Sequence, residues 1–210
     1  MGKVRVANFT VSIDGFSSGL DQRMDEPFGD NSEGLHAWYE SAMEERDSGR
    51  GGPGADQLRR FHDRAGATIM GRNMFSPHRG PWADESWTGW WGDNPPYHHD
   101  TFVLTHHDRP SVTMEGGTTF HFTSEPIDVV LDRAKAAAGD QDIIIGGGAS
   151  TVRQYLLAGL IDELDLGVSP ILIGQGERLL TDDVAAALRE FRVVKSYPIG
   201  NATFYNLSRS

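Results

Sequence analysis

Residues 142–151 read Asp142-Ile143-Ile144-Ile145-Gly146-Gly147-Gly148-Ala149-Ser150-Thr151. Three successive β-branched residues with no polar alternation predict a strand from Asp142 to Ile145 that is buried on both faces, as in a parallel sheet covered by helices. The glycines predict a sharp exit, and a helix follows from about Ser150 to Ala158, stopped by Gly159. Two readings of the glycine run stand side by side. In one it is a tight strand-to-helix turn that holds nothing. In the other, bare N–H groups at the positive end of the helix dipole receive a pyrophosphate, and Ser150 and Thr151 add hydroxyl donors. The run is neither a Rossmann GxGxxG nor a Walker A sequence, which needs Gly-Lys-Ser/Thr.

Working outward, strands are expected at Val4 to Ile13, Ala67 to Met70, Thr101 to Thr105, Thr118 to Phe122 and Leu164 to Val168. A closing hairpin of Phe191 to Tyr197 and Ala202 to Leu207 turns at Gly200-Asn201. Helices are expected from Leu35 to Arg46, from an Asp56 cap to about Ala65 with Gly66 as stop, and from a Ser124 cap through Ala138. The glycine-rich stretch Gly49 to Gly54 reads as a flexible surface insertion, and residues 15–34 as a long loop of the kind that borders binding sites. Alternating strands and helices imply an α/β fold: a mostly parallel central sheet with helices on both faces and a C-terminal antiparallel hairpin. No boundary divides the 210 residues, so a single domain is expected.

The chain has no cysteine, which excludes a disulfide scaffold, a thiolate zinc site and a cysteine nucleophile. A net charge of −11 argues against nucleic acid or an anionic membrane as partner, though it permits a local basic patch. No apolar run has membrane-spanning or signal length, so a cytoplasmic protein is expected.

Two further strand ends carry chemistry. Ile69-Met70-Gly71-Arg72-Asn73-Met74-Phe75 places an arginine after a glycine, where it can fork onto a phosphate or simply lie on the surface. Val103-Leu104-Thr105-His106-His107-Asp108-Arg109 offers hydroxyl, imidazole and guanidinium groups at another. In parallel sheets ligands gather at such carboxyl ends.

Taken in order with Ser12-Ile13-Asp14-Gly15, Ala158-Gly159-Leu160-Ile161-Asp162-Glu163-Leu164 and Ser169-Pro170-Ile171-Leu172-Ile173-Gly174-Gln175-Gly176, these stretches resemble the dihydrofolate reductase-like superfamily. Within it they are similar to the C-terminal reductase domain of the riboflavin-biosynthesis deaminase/reductase. The resemblance implies an NADPH-binding fold with a sheet of about eight strands. Gly71 and Arg72 would meet the cofactor phosphates, Thr105 and His106 the adenosine 2′-phosphate with Arg109 nearby, and Gly146, Gly147, Gly148, Ala149, Ser150 and Thr151 the pyrophosphate. It further implies a cis peptide at the first Gly-Gly bond, a loop after Asp14 beside the nicotinamide and substrate, substrate contacts from Ser12 and Trp38, and a homodimer. The deaminase signature H-x-E with P-C-x-x-C is absent, so a stand-alone reductase is expected. By the short match at Ala37-Trp38-Tyr39, the acidic residue that binds a pterin falls on Leu35, and Glu33 is two positions away, which disfavours dihydrofolate.

Asp14 is the candidate catalytic group, as substrate ligand or proton relay, or else a turn-forming residue before Gly15. Trp82, Trp87, Trp90 and Trp91 line a pocket for a flat ring, pack a dimer interface, or cover a loop. The pairs His98-His99 and His106-His107 lack metal-ligand spacing, and no metal is expected. Ser12 and Ser150 lack a nucleophile-elbow context. The function expected is hydride transfer from NADPH to a small heteroaromatic, pyrimidine or pterin-like substrate. The alternatives are a non-catalytic nucleotide-binding module on the same fold and an interaction protein using the tryptophan segment.

Overall fold

The computed structural model describes residues 2–49, 51–82 and 85–210; Arg50 of the glycine-rich stretch and Ala83 and Asp84 of the tryptophan segment lie outside them. The chain forms β1 (Val4–Ser12), β2 (Phe16–Ser18), α1 (Trp38–Asp47), α2 (Pro53–His62), β3 (Ala65–Gly71), α3 (Arg72–Phe75), β4 (Asp100–Leu104), β5 (Val112–Thr113) and β6 (Thr119–Thr123). It continues with α4 (Ile127–Ala138), β7 (Asp142–Gly147), α5 (Ala149–Leu157), β8 (Glu163–Ser169), β9 (Glu177–Arg178), α6 (Asp182–Ala187), β10 (Phe191–Ile199) and β11 (Ala202–Arg209).

Nine strands form one sheet in the order β10-β11-β8-β1-β7-β3-β4-β6-β5. The run β8-β1-β7-β3-β4-β6 is parallel throughout. The hairpin β10-β11 joins β8 antiparallel, and the short β5 joins β6 antiparallel. β2 and β9 pair separately. The expected α/β architecture, with its closing antiparallel hairpin, is the one observed.

Register sorts the side chains onto two faces, because paired residues on neighbouring strands share a face. Val6 and Ile69 both pair with Ile145, and all three sit in a core with Val130 and Leu131 of α4 and Val152 and Tyr155 of α5. On the opposite face Met70, Val103 and Phe122 are paired neighbours, and they join Phe75, Tyr97 and Phe120 in a second core. β1 shifts register between Val6 and Phe9, where Asn8 takes a positive φ of 58°. Beyond this bulge, Thr10, Gly167 and Phe204 are paired on that same second face. A Cβ on Gly167 would lie 2.8 Å from the Phe204 ring, so glycine there seats the ring. Phe204 meets Trp38 edge-on at 4.7 Å, and Ala42, Ile199 and Ala202 complete a third core. The second face therefore carries two separate cores with a gap between them. α2 spans the gap, with Leu58 packed on one core and Phe61 on the other.

α1 and α2 touch closely. A Cβ on Gly54 would lie 2.7 Å from Cα of Ala42. The Glu45 carboxylate of α1 accepts from the N–H groups of Gly54 and Ala55, capping α2 from the neighbouring helix. The other end of α2 is held by Arg5, whose guanidinium donates to the carbonyls of Arg60 and Asp63 and pairs with Asp142 at 2.9 Å.

Several local expectations are corrected. Asp56 does not cap α2; the helix starts at Pro53 after Gly52, and Asp56 lies in its first turn. Pro53 and Gly54, expected within a surface insertion, are thus helical, and Gly54 is buried. Gly66 is a strand residue, and the chain reverses at Arg64 with φ 59°. Ser124 does not cap α4; its hydroxyl donates to Asp108, and Pro126 occupies the cap. α1 starts at Trp38 rather than Leu35. The short helices α3 and α6 were not expected. The cis peptide lies between Gly147 and Gly148, the second Gly-Gly bond rather than the first.

The helix contact yields a direct test. Gly54→Val forces α2 away from Ala42, and we expect it to lower stability by about 1–3 kcal/mol in urea unfolding. An unchanged midpoint and slope would contradict the close approach of the two helices.

Candidate functional site

The gap between the two cores opens into a cleft of about 1330 Å³ at the carboxyl ends of β7, β3 and β4. Parallel pairing brings these ends to one edge, with Met70 opposite Gly147 and Gly71 opposite Leu104. Gly71, Arg72, Thr105, His106 and the whole run from Gly146 to Thr151 line the cleft, so the three strand ends singled out in the sequence converge.

Each glycine does a distinct job. A Cβ on Gly71 would lie 2.5 Å from Oγ1 of Thr151, so the end of β3 can cross α5 closely only without a side chain. Gly146 and Gly147 face Met74 and the Phe9 ring, at 3.3 and 3.2 Å from a built Cβ. Gly148 faces open space, with nothing within 4 Å. No side chain caps the N-terminus of α5, which follows Gly148 directly. Its first N–H groups have no intrahelical acceptor and meet the cleft at the positive end of the helix dipole.

Arg72 sits beside this cradle. Its Nη2 donates to the His78 carbonyl at 3.1 Å, while Nε and Nη1 are buried without a partner. Burial, with Arg109 and Arg79 nearby, lowers its pKa to about 10. It remains a cation at neutral pH, with two donors that lack an acceptor. Arg79 donates to Gln22 at 2.7 Å; both residues line the cleft, so this bond links the loop after β2 to the loop after α3. Thr105 is buried, and its hydroxyl accepts from the His107 N–H at 3.1 Å, which fixes the turn that presents His106. Arg109 donates to the carbonyls of Trp87 and Glu85 and is not a lining residue.

Asp14 and Ser12 are not among the cleft-lining residues. Asp14 accepts from the Ser12 hydroxyl at 2.5 Å and from the N–H groups of Ile173 at 3.2 Å and Gly174 at 2.7 Å. Burial opposes its charge, but these donors prevail and hold its carboxyl below the ordinary carboxylate value. Asp14 thereby clasps the end of β1 to the segment after β8. Trp38 does line the cleft, with Nε1 donating to Thr10 at 3.0 Å. Of the tryptophans, Trp82, Trp87 and Trp91 pack against the Phe75 core, and Trp90 and Trp91 also line the cleft.

His36, which the sequence reading passed over, lines the cleft with its ring 4.1 Å from Phe28 and its Nδ1 buried without a partner. Its only signal was its place beside Leu35 and Glu33, where a substrate-binding acid was sought. Burial lowers its pKa from 6.5 to about 4. His99, bonded to Thr68 at 2.8 Å, is likewise lowered to about 4, by burial and by neighbouring His62.

These two imidazoles set a pH dependence. Both stay neutral in the folded protein well below 6.5, whereas the unfolded chain takes up protons near that value. Their contribution is complete above pH 6.5 and is lost as pH falls toward 4. We expect Tm to fall across this window and His36→Phe to fall less steeply than wild type. Parallel Tm–pH curves would show that His36 is not buried in its neutral form.

The fold recurs in solved structures. A protein described as a riboflavin biosynthesis protein, from Shewanella sp. PV-4, matches with TM-score 0.56 at 23% identity, over 99% of this chain and 97% of its own. RibD of Acinetobacter baumannii matches with TM-score 0.55 at 19% identity, over 100% of this chain and 58% of its own. The diaminohydroxyphosphoribosylaminopyrimidine deaminase/5-amino-6-(5-phosphoribosylamino)uracil reductase of Thermotoga maritima matches with TM-score 0.59 at 10% identity, over 100% of this chain and 57% of its own. The chain thus spans somewhat over half the length of the last two. No curated protein sequence matches. At these identities the structures establish a shared dihydrofolate reductase-like fold. The sequence profile of the RibD C-terminal domain matches residues 4–205, and the chain belongs to that family.

Proposed function

We propose that the protein is an NADPH-dependent reductase that passes hydride to a small substrate built on a flat heterocycle of the pyrimidine or pterin kind, at the ring or at a sugar-derived C=N or C=O group that the ring carries. The observation that carries this reading is Arg72. A half-buried guanidinium whose Nε and Nη1 are buried without a partner is costly unless an anion completes it. It stands in the same cleft as an uncapped helix N-terminus reached through Gly148, whose missing side chain leaves open space. Two anion receptors in one cleft suit a dinucleotide carrying both a pyrophosphate and a further phosphate. The residues present therefore fit NADPH.

In this reading the N–H groups of Ala149, Ser150 and Thr151 hold the pyrophosphate, and Arg72 with Thr105 and His106 holds the 2′-phosphate. The nicotinamide supplies the hydride when bound. The chain contributes alignment and exclusion of water, with Trp38, Phe28 and His36 walling the rest of the cleft. A neutral His36 can donate to or accept from a polar ring edge without adding charge. Asp14, committed to the Ser12 hydroxyl and two backbone N–H groups, acts in this scheme by positioning the loop after β1. That commitment of the one expected acid favours, as second reading, a module that binds the dinucleotide without turnover.

Titration calorimetry with NADPH and NADH, followed by nicotinamide absorbance with 5-amino-6-(5-phosphoribosylamino)uracil as probe, separates these readings. We expect NADPH to bind more tightly than NADH, and Arg72→Ala to weaken NADPH about ten- to a hundredfold, the usual worth of charge-assisted hydrogen bonds. Binding without oxidation of NADPH by any heterocycle of this class favours the module. Failure of both dinucleotides to bind sinks the reductase reading.

A further inference from the structure

Arg72 is held in place by a ring from outside the motif that contains it. Its Cζ lies 3.1 Å from the centroid of the Trp82 indole, and Arg109 lies 4.7 Å from the same ring. The indole itself is pinned. Its Nε1 donates to the His107 carbonyl at 2.5 Å, and its plane meets Phe75 at 6.0 Å and Phe122 at 5.2 Å, both edge-on. Phe75 and Phe122 belong to the buried core, so Trp82 carries the rigidity of that core out to the cleft wall.

Arg72 would not stay there unaided. Arg79 and Arg109 both oppose its charge, and among the described residues its guanidinium donates only to the His78 carbonyl. A long, flexible cation repelled by its neighbours relaxes toward water unless something attractive holds it. The negative face of an indole does that without using any N–H donor, because stacking engages the guanidinium plane and leaves its edge free. Here the free edge includes the two unpartnered nitrogens.

We propose that Trp82 is the positioning residue for Arg72, and that this stacked pair, rather than the arginine alone, makes the cleft prefer a dinucleotide with a phosphate monoester on its adenosine ribose over one without. The inference rests on the reading of Arg72 as an anion receptor. It is distinct from a covering role, in which Trp82 merely shields Phe75 and Phe122 from water. Loss of a cover lowers Tm and weakens every ligand alike. Loss of the platform weakens only the ligand that Arg72 discriminates.

The test measures NADPH and NADH dissociation constants for wild type, Trp82→Phe, Trp82→Leu, Arg72→Ala and the Trp82→Leu/Arg72→Ala pair, with Tm recorded for each. We expect Trp82→Leu to weaken NADPH about tenfold with NADH unchanged, and Trp82→Phe, which keeps a π face, to stay within about threefold of wild type. Added to Arg72→Ala, Trp82→Leu should cost NADPH nothing more, since it acts through the arginine. Equal weakening of both dinucleotides, additive losses in the double variant, or no effect of Trp82→Leu overturns the platform role while leaving NADPH binding intact. Wild type that binds no NADPH overturns the cofactor reading itself, and the discrimination built on it.

Discussion

The strand-end groups of the cleft depend on the parallel insertion of β7 between β1 and β3. Because all three strands run the same way, their carboxyl ends reach one edge of the sheet together. Strands flanked on both sides and covered on both faces have little room for polar side chains, which is why Ile143, Ile144 and Ile145 are all buried. The same crowding separates two kinds of glycine. At Gly71 a side chain would strike Thr151, so the protein's own packing demands glycine. At Gly148 a side chain would strike nothing among the described residues, so packing does not demand glycine there and its bare side faces open space. Packing and ligand access thus account for neighbouring glycines separately.

Electrostatics run against the bulk composition. A chain of net charge −11 repels anions at long range, yet at Arg72 burial and the nearby charges of Arg109 and Arg79 are strong enough to lower its affinity for protons. The bulk charge limits indiscriminate anion binding, and the local cluster supplies a short-range field where low dielectric strengthens it.

Features encoded by neighbours in the chain were legible in the sequence. The buried strand, its glycine exit and the arginine after Gly71 could all be read, because each depends on residues next to it. Features made by distant partners were not. Asp14 reads locally as a catalytic carboxylate or a turn former, and nothing beside it in the sequence shows that Ile173 and Gly174 donate to it from the far end of the chain. The cap of α2 comes from Glu45 on another helix, so Asp56, correctly placed by local rules, is not needed. Gln22 and Arg79 carried no motif at all, yet they bridge two loops. The tryptophan segment packs against the Phe75 core through Trp82, Trp87 and Trp91 and reaches the cleft through Trp90 and Trp91, a division set by distant partners.

The contact between Gly54 and Ala42 has a consequence for how the cleft accommodates shape. With Glu45 bonded across it, α1 and α2 behave as one plank, and Arg5 nails the far end to the sheet. That wall cannot open by tilting one helix. The facing wall, with Trp90 and Trp91, contains no helix or strand among its described residues and is tied down by ring packing, by the Trp87 indole N–H donating to the Phe75 carbonyl and by Arg109 donating to the carbonyls of Trp87 and Glu85. Ring contacts slide at little cost, whereas a helix crossing that excludes a Cβ does not. Differences in ligand outline are therefore absorbed on the tryptophan side, and the helical side serves as the fixed jaw of a vice.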